Sequence, residues 1–178
     1  KGLTPDVVIE KAKANYKKIT GKSFKLSSDT KLAGYQTKLI EAARTVMTEA
    51  QPLINMQGVG FKGFITAIFA KSLAREFSKT SGGVSFKFTA PTDVLRSSEN
   101  APDDWENSVF EGKFKGSDWT KNTVFAENSG GKYRWMVPLY HEQGCMSCHG
   151  GPKGSKDITG CTKEGAKVGE LAGAFSIA

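Results

Sequence analysis

"TVFAENSGGKYRWMVPLY", residues 123–140, reads as two strands joined by a tight reversal. Strands are expected over about 122–127 and 132–139, with the turn at Asn128–Gly131, where two glycines accept the backbone that a hairpin needs. "VSFKFTAP" alternates Val84, Phe86 and Phe88 against polar neighbours, the pattern of a half-buried strand. "ELAGAFSIA" at the end is a further strand. Between them, "NAPDDWENSVFEGKF" reads as a short helix begun by Pro102 or Asp103.

The front half has a different period. "TPDVVIEKAKANYKKIT" offers Thr4 as N-cap, Pro5 at the first helical position and Asp6 in the first turn, with Gly21 as the stop. Val8, Ile9, Ala12 and Tyr16 share one face. A second helix carries Leu32, Tyr35, Leu39, Ala43, Val46, Met47 and Ala50 at three- and four-residue spacing, and Pro52 marks its break. A third, over about 59–78, carries Phe61, Phe64, Ile65, Ile68, Phe69, Leu73 and Phe77, with "TSGG" ending it. Helices first and antiparallel strands later predict an α+β fold, with long N-terminal helices packed on one face of an antiparallel sheet.

The chain has 178 residues, 38% of them hydrophobic and 24% charged, which suits one domain with a real core. Its net charge is +7, but the lysines are scattered rather than striped among aromatics. That argues for solubility and a mild pull toward anionic partners, not for nucleic acid. No run is apolar enough to span a membrane, which takes about 20 residues. In the richest stretch, "GFKGFITAIFAKSLAREF", Lys62, Lys71, Arg75 and Glu76 interrupt.

Beyond the hairpin lies "YHEQGCMSCHGG", residues 140–151. Two of the three cysteines and both histidines fall here. Cys145, Cys148 and His149 have the C-x-x-C-H spacing of covalent c-type haem attachment. Two thiols add across the two vinyl groups of one haem, and the next residue offers an imidazole to the iron as proximal ligand. Gly150 and Gly151 let the backbone turn away because they lack a Cβ. Two other readings compete. Zinc could draw on Cys145, Cys148, Cys161 and either His141 or His149, but a second paired half is missing. A dithiol redox motif normally sits in a βαβ unit, which the pattern does not offer. Haem c attaches outside the bacterial cytoplasm, so a periplasmic or other extracytoplasmic location is expected, with a signal peptide removed before Lys1.

"YRWMVPLYHEQGCMSCHGGPKGSKDITG", with "GELAGAFSIA" behind it and "APTDVLRSSENAPDDWE" ahead, resembles the PAS-like c-type haem domains of bacterial periplasmic sensors, over most of residues 30–178. The resemblance implies long N-terminal helices, a PAS-like antiparallel sheet and one covalent haem c. It implies a single domain over 1–178, with a helical part at 1–80 and the sheet and haem-attachment loop at 81–178. It also implies a role in redox or gas sensing. Unlike fused members, this chain shows no transmembrane helix or signalling domain.

In that family the distal position is filled from the N-terminal helical region, by Met or Cys in different members, or left to water. Met47, in "ARTVMTEAQPLINM", is the expected distal ligand, although a Met on an apolar helix face also serves as core. Cys161 is the alternative, with Met56, His141 and water behind it. His141 is expected to contact a propionate or to face solvent. Arg96 and Arg134 are candidate partners for the propionates, since guanidinium pairs well with carboxylate. Lys153, Lys156, Lys163 and Lys167, offset by Asp157, Glu164 and Glu170, form either a docking rim or a solvated face.

The expected function is a haem module that senses redox state or binds NO or CO. The alternative is an electron-transfer cytochrome working between extracytoplasmic partner proteins. No catalytic constellation is visible, so an enzyme is not expected. The apolar faces around Leu39–Met47 and Phe61–Phe77 predict a helix-mediated dimer.

Overall fold

Thr4 and Pro5 start the first helix as their chemistry requires, in a computed structural model that describes residues 2–121 and 123–178. The chain divides into two units, Lys1–Val84 and Ser85–Ala178.

In the first unit, α1 spans Pro5–Thr20. The Thr4 hydroxyl accepts from the Val7 amide at 3.4 Å. Gly21, at φ 73°, closes the helix by donating its amide to the Lys17 carbonyl. Helix α2 spans Thr30–Glu49 and is capped by Asp29, whose carboxylate accepts from the Leu32 amide at 2.8 Å. The break expected at Pro52 falls at Ala50, and a single turn, α3 (Gln51–Ile54), comes next. Helix α4 spans Thr66–Ser78.

Two expectations change here. Gly58 and Gly63 hold φ of 76° and 71°, outside helical geometry. The apolar run at 59–65 is therefore not helical, and α4 starts at Thr66 rather than near 59. The expected face of α2 is buried only in its last turns, where Val46, Met47 and Ala50 are joined by Ala42. Leu32 and Leu39 remain exposed. Ala70, Ala74 and Phe77 are the buried residues of α4, which packs on α2. On α1 only Ile9 is buried, and Tyr16 instead packs edge-on against Phe24.

The second unit is built on a four-stranded antiparallel sheet of order β1-β4-β3-β2, with β1 Phe86–Thr89, β2 Phe125–Ser129, β3 Lys132–Tyr140 and β4 Leu171–Ile177. The hairpin forms with a tighter turn than the expected Asn128–Gly131, because β2 runs on through Ser129. Ser129 pairs with Lys132, and Gly130 and Gly131 both take positive φ, 58° and 76°, as a two-residue type I′ turn requires. Strand β2 begins at Phe125. Asn122, its expected first residue, lies outside the described residues. Val84 precedes β1 instead of belonging to it.

Helix α5 (Asp104–Val109) opens on a capping box. Asp103 accepts from the Glu106 amide at 2.8 Å, and the Glu106 carboxylate accepts from the Asp103 amide at 2.9 Å. One π-helical turn, Phe110–Phe114, continues it, with the Lys115 amide reaching the Phe110 carbonyl. Val109, Phe110 and Phe114 pack with Met136 of β3 and Ala174 of β4 as the core of this unit, flanked by Trp105, Trp119, Phe125 and Leu171. Each large side chain fully buried there contributes about 1.5–3 kcal/mol. The molecule is thus α+β. Among the described residues no helix is long and apolar enough to cross a membrane.

Candidate functional site

Strand β3 delivers the chain to the attachment segment through an irregularity. The β3–β4 register shifts between Leu139 and Tyr140, a bulge that re-aims the chain toward His141. Past this bulge the His141 amide donates to the Glu170 carbonyl at 2.8 Å, and the Gly169 amide donates to the His141 carbonyl at 2.8 Å. A 3-10 turn at Gln143–Cys145 then runs into α6, the single turn Met146–His149. Residues three and four apart share a helix face. Cys145, Cys148 and His149 therefore lie on one face of this turn. All three cysteines are free thiols of intermediate burial.

Gly150 ends α6. A Cβ there would lie 2.6 Å from the Met146 carbonyl oxygen, so glycine is required by the turn's own backbone. Gly151 has open space around its Cβ position.

The turn is fastened from behind. Arg96, contributed from the segment after β1, donates through Nη2 to the Cys148 carbonyl at 2.8 Å. The Ala166 amide donates to the His149 carbonyl at 2.8 Å. Arg96 also forms ion pairs with Asp157 at 2.6 Å and with Glu164 at 2.6 Å. Asp157 Oδ1 accepts from the Thr159 amide and hydroxyl and from the Cys161 amide. The Thr159 hydroxyl bond does most to hold the Asp157 carboxyl far below the usual carboxylate range; burial opposes this and Arg96 reinforces it. The same partners raise the Arg96 guanidinium well above its ordinary value, Glu164 first.

Glu164 completes the site. Its Oε2 lies 3.1 Å from His149 Nδ1. An ionised carboxylate can only accept, so Nδ1 is the donor in this contact, and a neutral ring held this way would keep the Nε2 lone pair for a metal. Burial pushes the Glu164 carboxyl up, but hydrogen bonds from Arg96 and from its own backbone amide, with the Arg96 and His149 charges, bring it below normal.

His141 is buried at 6% exposure instead of facing solvent, with its ring centroid 4.8 Å from that of His149. Burial, and then the His149 charge, hold its pKa below the ordinary histidine value. Its Nδ1 is buried and without a hydrogen-bond partner.

The structure thus brings Cys145, Cys148, His149 and Arg96 together. Cys161 lies on the same loop and, with Arg96, Lys153, Lys163 and Glu164, lines a cleft of about 620 Å³. Arg134 is elsewhere in this unit. It pairs with Asp103 at 2.7 Å and stacks over Trp105 at 4.2 Å. Both arginines expected to meet propionates are therefore engaged by protein carboxylates. Met47 belongs to the helical unit, where it is 3% exposed on α2, while Met56 is half exposed. Among the described residues no group of three or more His, Cys, Asp or Glu is placed to hold a metal ion, so the four-ligand zinc arrangement is not assembled. Sequence spacing missed the part played by Glu164 and Asp157, which read as rim charges. The contacts that define them reach 68 and 61 residues back to Arg96.

The donor set suits a haem. Two free thiols share a face with an imidazole whose Nδ1 is held by Glu164, and the ring of His141, with a buried Nδ1 that has no hydrogen-bond partner among the described residues, stands beside them. A family model described as Tll0287-like, Tll0287, matches residues 11–178. A solved structure, described as that of the cyanobacterial heme-protein Tll0287, is similar at 16% identity and a TM-score of 0.55, covering 85% of this chain and 96% of that one. No curated protein matches the chain.

Proposed function

The chain belongs to the Tll0287-like family, and from that premise we propose that it is a haem-binding cytochrome carrying one covalent haem c. The observation that carries the reading is the single turn presenting Cys145, Cys148 and His149, with His149 Nδ1 already held by Glu164. The similar fold of a heme-protein supports it. When bound, the haem supplies a one-electron ferric–ferrous couple and an axial position for a small ligand.

The chain's own part is attachment and orientation. Cys145 and Cys148 would hold the haem as thioethers, each thiol adding across one vinyl group with its proton going to the neighbouring carbon, so that no oxidant would be needed. His149 offers Nε2 from the adjacent position. Met47, buried on α2, is the proposed distal donor, and Cys161 is the alternative. A neutral thioether favours ferrous iron and raises the potential, whereas a thiolate favours ferric iron and lowers it.

The proposed role is non-enzymatic, a redox or diatomic-gas sensing module in the periplasm or another extracytoplasmic compartment. Electron transfer is the second reading, favoured by Lys153 and Lys163 on the cleft beside Glu164, where an acidic partner could dock. One set of measurements tests both. Haem should stay with the polypeptide on a denaturing gel after acid–acetone extraction. A colourless protein with stoichiometric zinc overturns the reading. Met47→Ala should remove any thioether-to-iron charge-transfer band and admit CO. If that variant keeps the wild-type spectrum while Cys161→Ala changes it, the thiolate is the distal ligand. A wild type that keeps both axial ligands through reduction and refuses CO is a carrier; one that releases a ligand is a sensor.

A further inference from the structure

We infer that Glu164, clamped by Arg96, is a positioning residue that fixes the ring of His149 and strengthens its donation to iron; this rests on the haem reading above. Three observations lead there.

The first is the clamp itself. Arg96 meets Glu164 as a fork, Nε to Oε1 at 2.6 Å and Nη2 to Oε2 at 2.9 Å. Two parallel charge-assisted bonds fix the plane of the carboxylate as well as its distance. The second is what fixes the clamp. Arg96 is tied to Asp157 at 2.6 Å and to the Cys148 carbonyl at 2.8 Å. The guanidinium thus registers the carboxylate against the same turn that carries the imidazole. The Ala166 amide, two residues beyond Glu164, binds the His149 carbonyl and closes the loop from the other side. The third is the aim. Glu164 Oε2 lies 3.1 Å from His149 Nδ1, the nitrogen that a haem-bound imidazole leaves free.

A carboxylate behind a ligating histidine sets its tautomer, restrains its rotation and raises its basicity. The added negative character stabilises the ferric state. Arg96 moderates the effect by holding part of that charge, so the pair acts as a graded electron-donating group rather than a bare anion.

Glu164→Gln keeps the size and an acceptor but removes the charge. The ferrous iron–histidine stretching frequency, read in a five-coordinate Met47→Ala background, should fall. The ferric–ferrous equilibrium should move about tenfold toward ferrous, which is about 59 mV for one electron. Glu170→Gln removes a nearby charge whose carboxylate instead accepts from the Lys167 amide, and it should leave that frequency in place. An unchanged frequency and potential in haem-loaded Glu164→Gln overturns the inference. So does an equal shift in Glu170→Gln, which would mark a general field effect. If Glu164→Gln does not accumulate, the wild type decides by NMR. The His149 Nδ1 proton should give a hyperfine-shifted, slowly exchanging resonance, and fast exchange overturns the inference. A wild type without covalent haem sinks the functional reading instead, and the inference falls with it.

Discussion

The two units differ in that only one of them, among the described residues, carries ion pairs into its interior. In the helical unit the described ion pairs lie on the surface. Lys13–Glu10 and Lys79–Glu76 bridge single turns, and Arg44–Asp6 joins α2 to the start of α1 with both side chains half exposed or more. In the sheet unit Lys115 pairs with Asp93 and Glu111 at the surface, but other pairs go inside. Glu106 is almost fully buried and meets Lys87 at 2.7 Å, with Arg134 at 3.5 Å on its other oxygen. Asp157 is fully covered beneath Arg96. Surface pairs are worth little, whereas removing one partner of a buried pair strands the other. The helical unit therefore rests on packing among Ala42, Val46, Met47, Ala70, Ala74 and Phe77. The sheet unit is pinned by directional polar contacts, as a site that must hold an imidazole in one orientation requires.

The sharpest way to break this contrast is to cut one pair of each kind. Glu106→Ala should cost about 1–3 kcal/mol of unfolding free energy, because the Asp103 amide loses its acceptor and Lys87 keeps only the Ala101 carbonyl. Glu10→Ala on α1 should cost less than about 0.5 kcal/mol. Urea titrations can read the units apart. Trp105, Trp119 and Trp135 are the chain's three tryptophans and all lie in the sheet unit, so fluorescence tracks that unit while far-UV dichroism tracks the helices. Equal costs for the two substitutions would erase the distinction.

A smaller effect should appear with acid. Asp157 and Asp103 both sit below the ordinary value of 3.8. For Asp157 the Thr159 hydroxyl leads; for Asp103 burial pushes upward but the Arg134 hydrogen bond and charge prevail. A carboxyl with a lowered native pKa binds fewer protons folded than unfolded. Its stabilisation is complete above the unfolded value and is lost as pH falls through the native one. The fluorescence-detected urea midpoint should hold down to roughly pH 5 and then fall below about pH 4. Asp157→Asn should flatten part of that fall. A midpoint equally pH-dependent in Asp157→Asn removes Asp157 from the account.

The smallest change in stability, and the clearest change in assembly, is expected from Ile68→Ser. Ile68 is 44% exposed on α4, and Leu39 is 38% exposed on α2. If these faces carry a dimer, the substitution should leave stability within about 0.5 kcal/mol while shifting sedimentation from dimer to monomer. A wild type that sediments as monomer at micromolar concentration and above removes the interface.

How much of the molecule is legible in its sequence depends on the range of the interactions involved. Thr4, Asp103 and the Gly130–Gly131 pair act within three or four residues, and each stop or turn they announce is present. The run from Phe61 to Ile65 misleads because its spacing fits a helix, while Gly58 and Gly63 set a backbone that no spacing reveals. The exposure of Leu32 and Leu39 on α2 is hidden for a related reason. Leucine marks a buried stripe by composition, but here smaller side chains line the contact. At the site, the five residues from Cys145 to His149 are readable because attachment chemistry is local. The meeting of Arg96, Asp157 and Glu164 is not, because it depends on a fold that closes a separation of more than 60 residues.

The same separation limits how far the attachment turn can be moved into another protein. A transplant of Cys145–His149 would carry the sulfurs and the ring, but neither the arginine that holds the Cys148 carbonyl nor the amide of Ala166 that holds His149. An engineer wanting a haem peptide with a defined axial histidine would have to carry everything from Arg96 to Ala166, strands β2 and β3 included. The smallest portable version of this motif is most of the sheet unit.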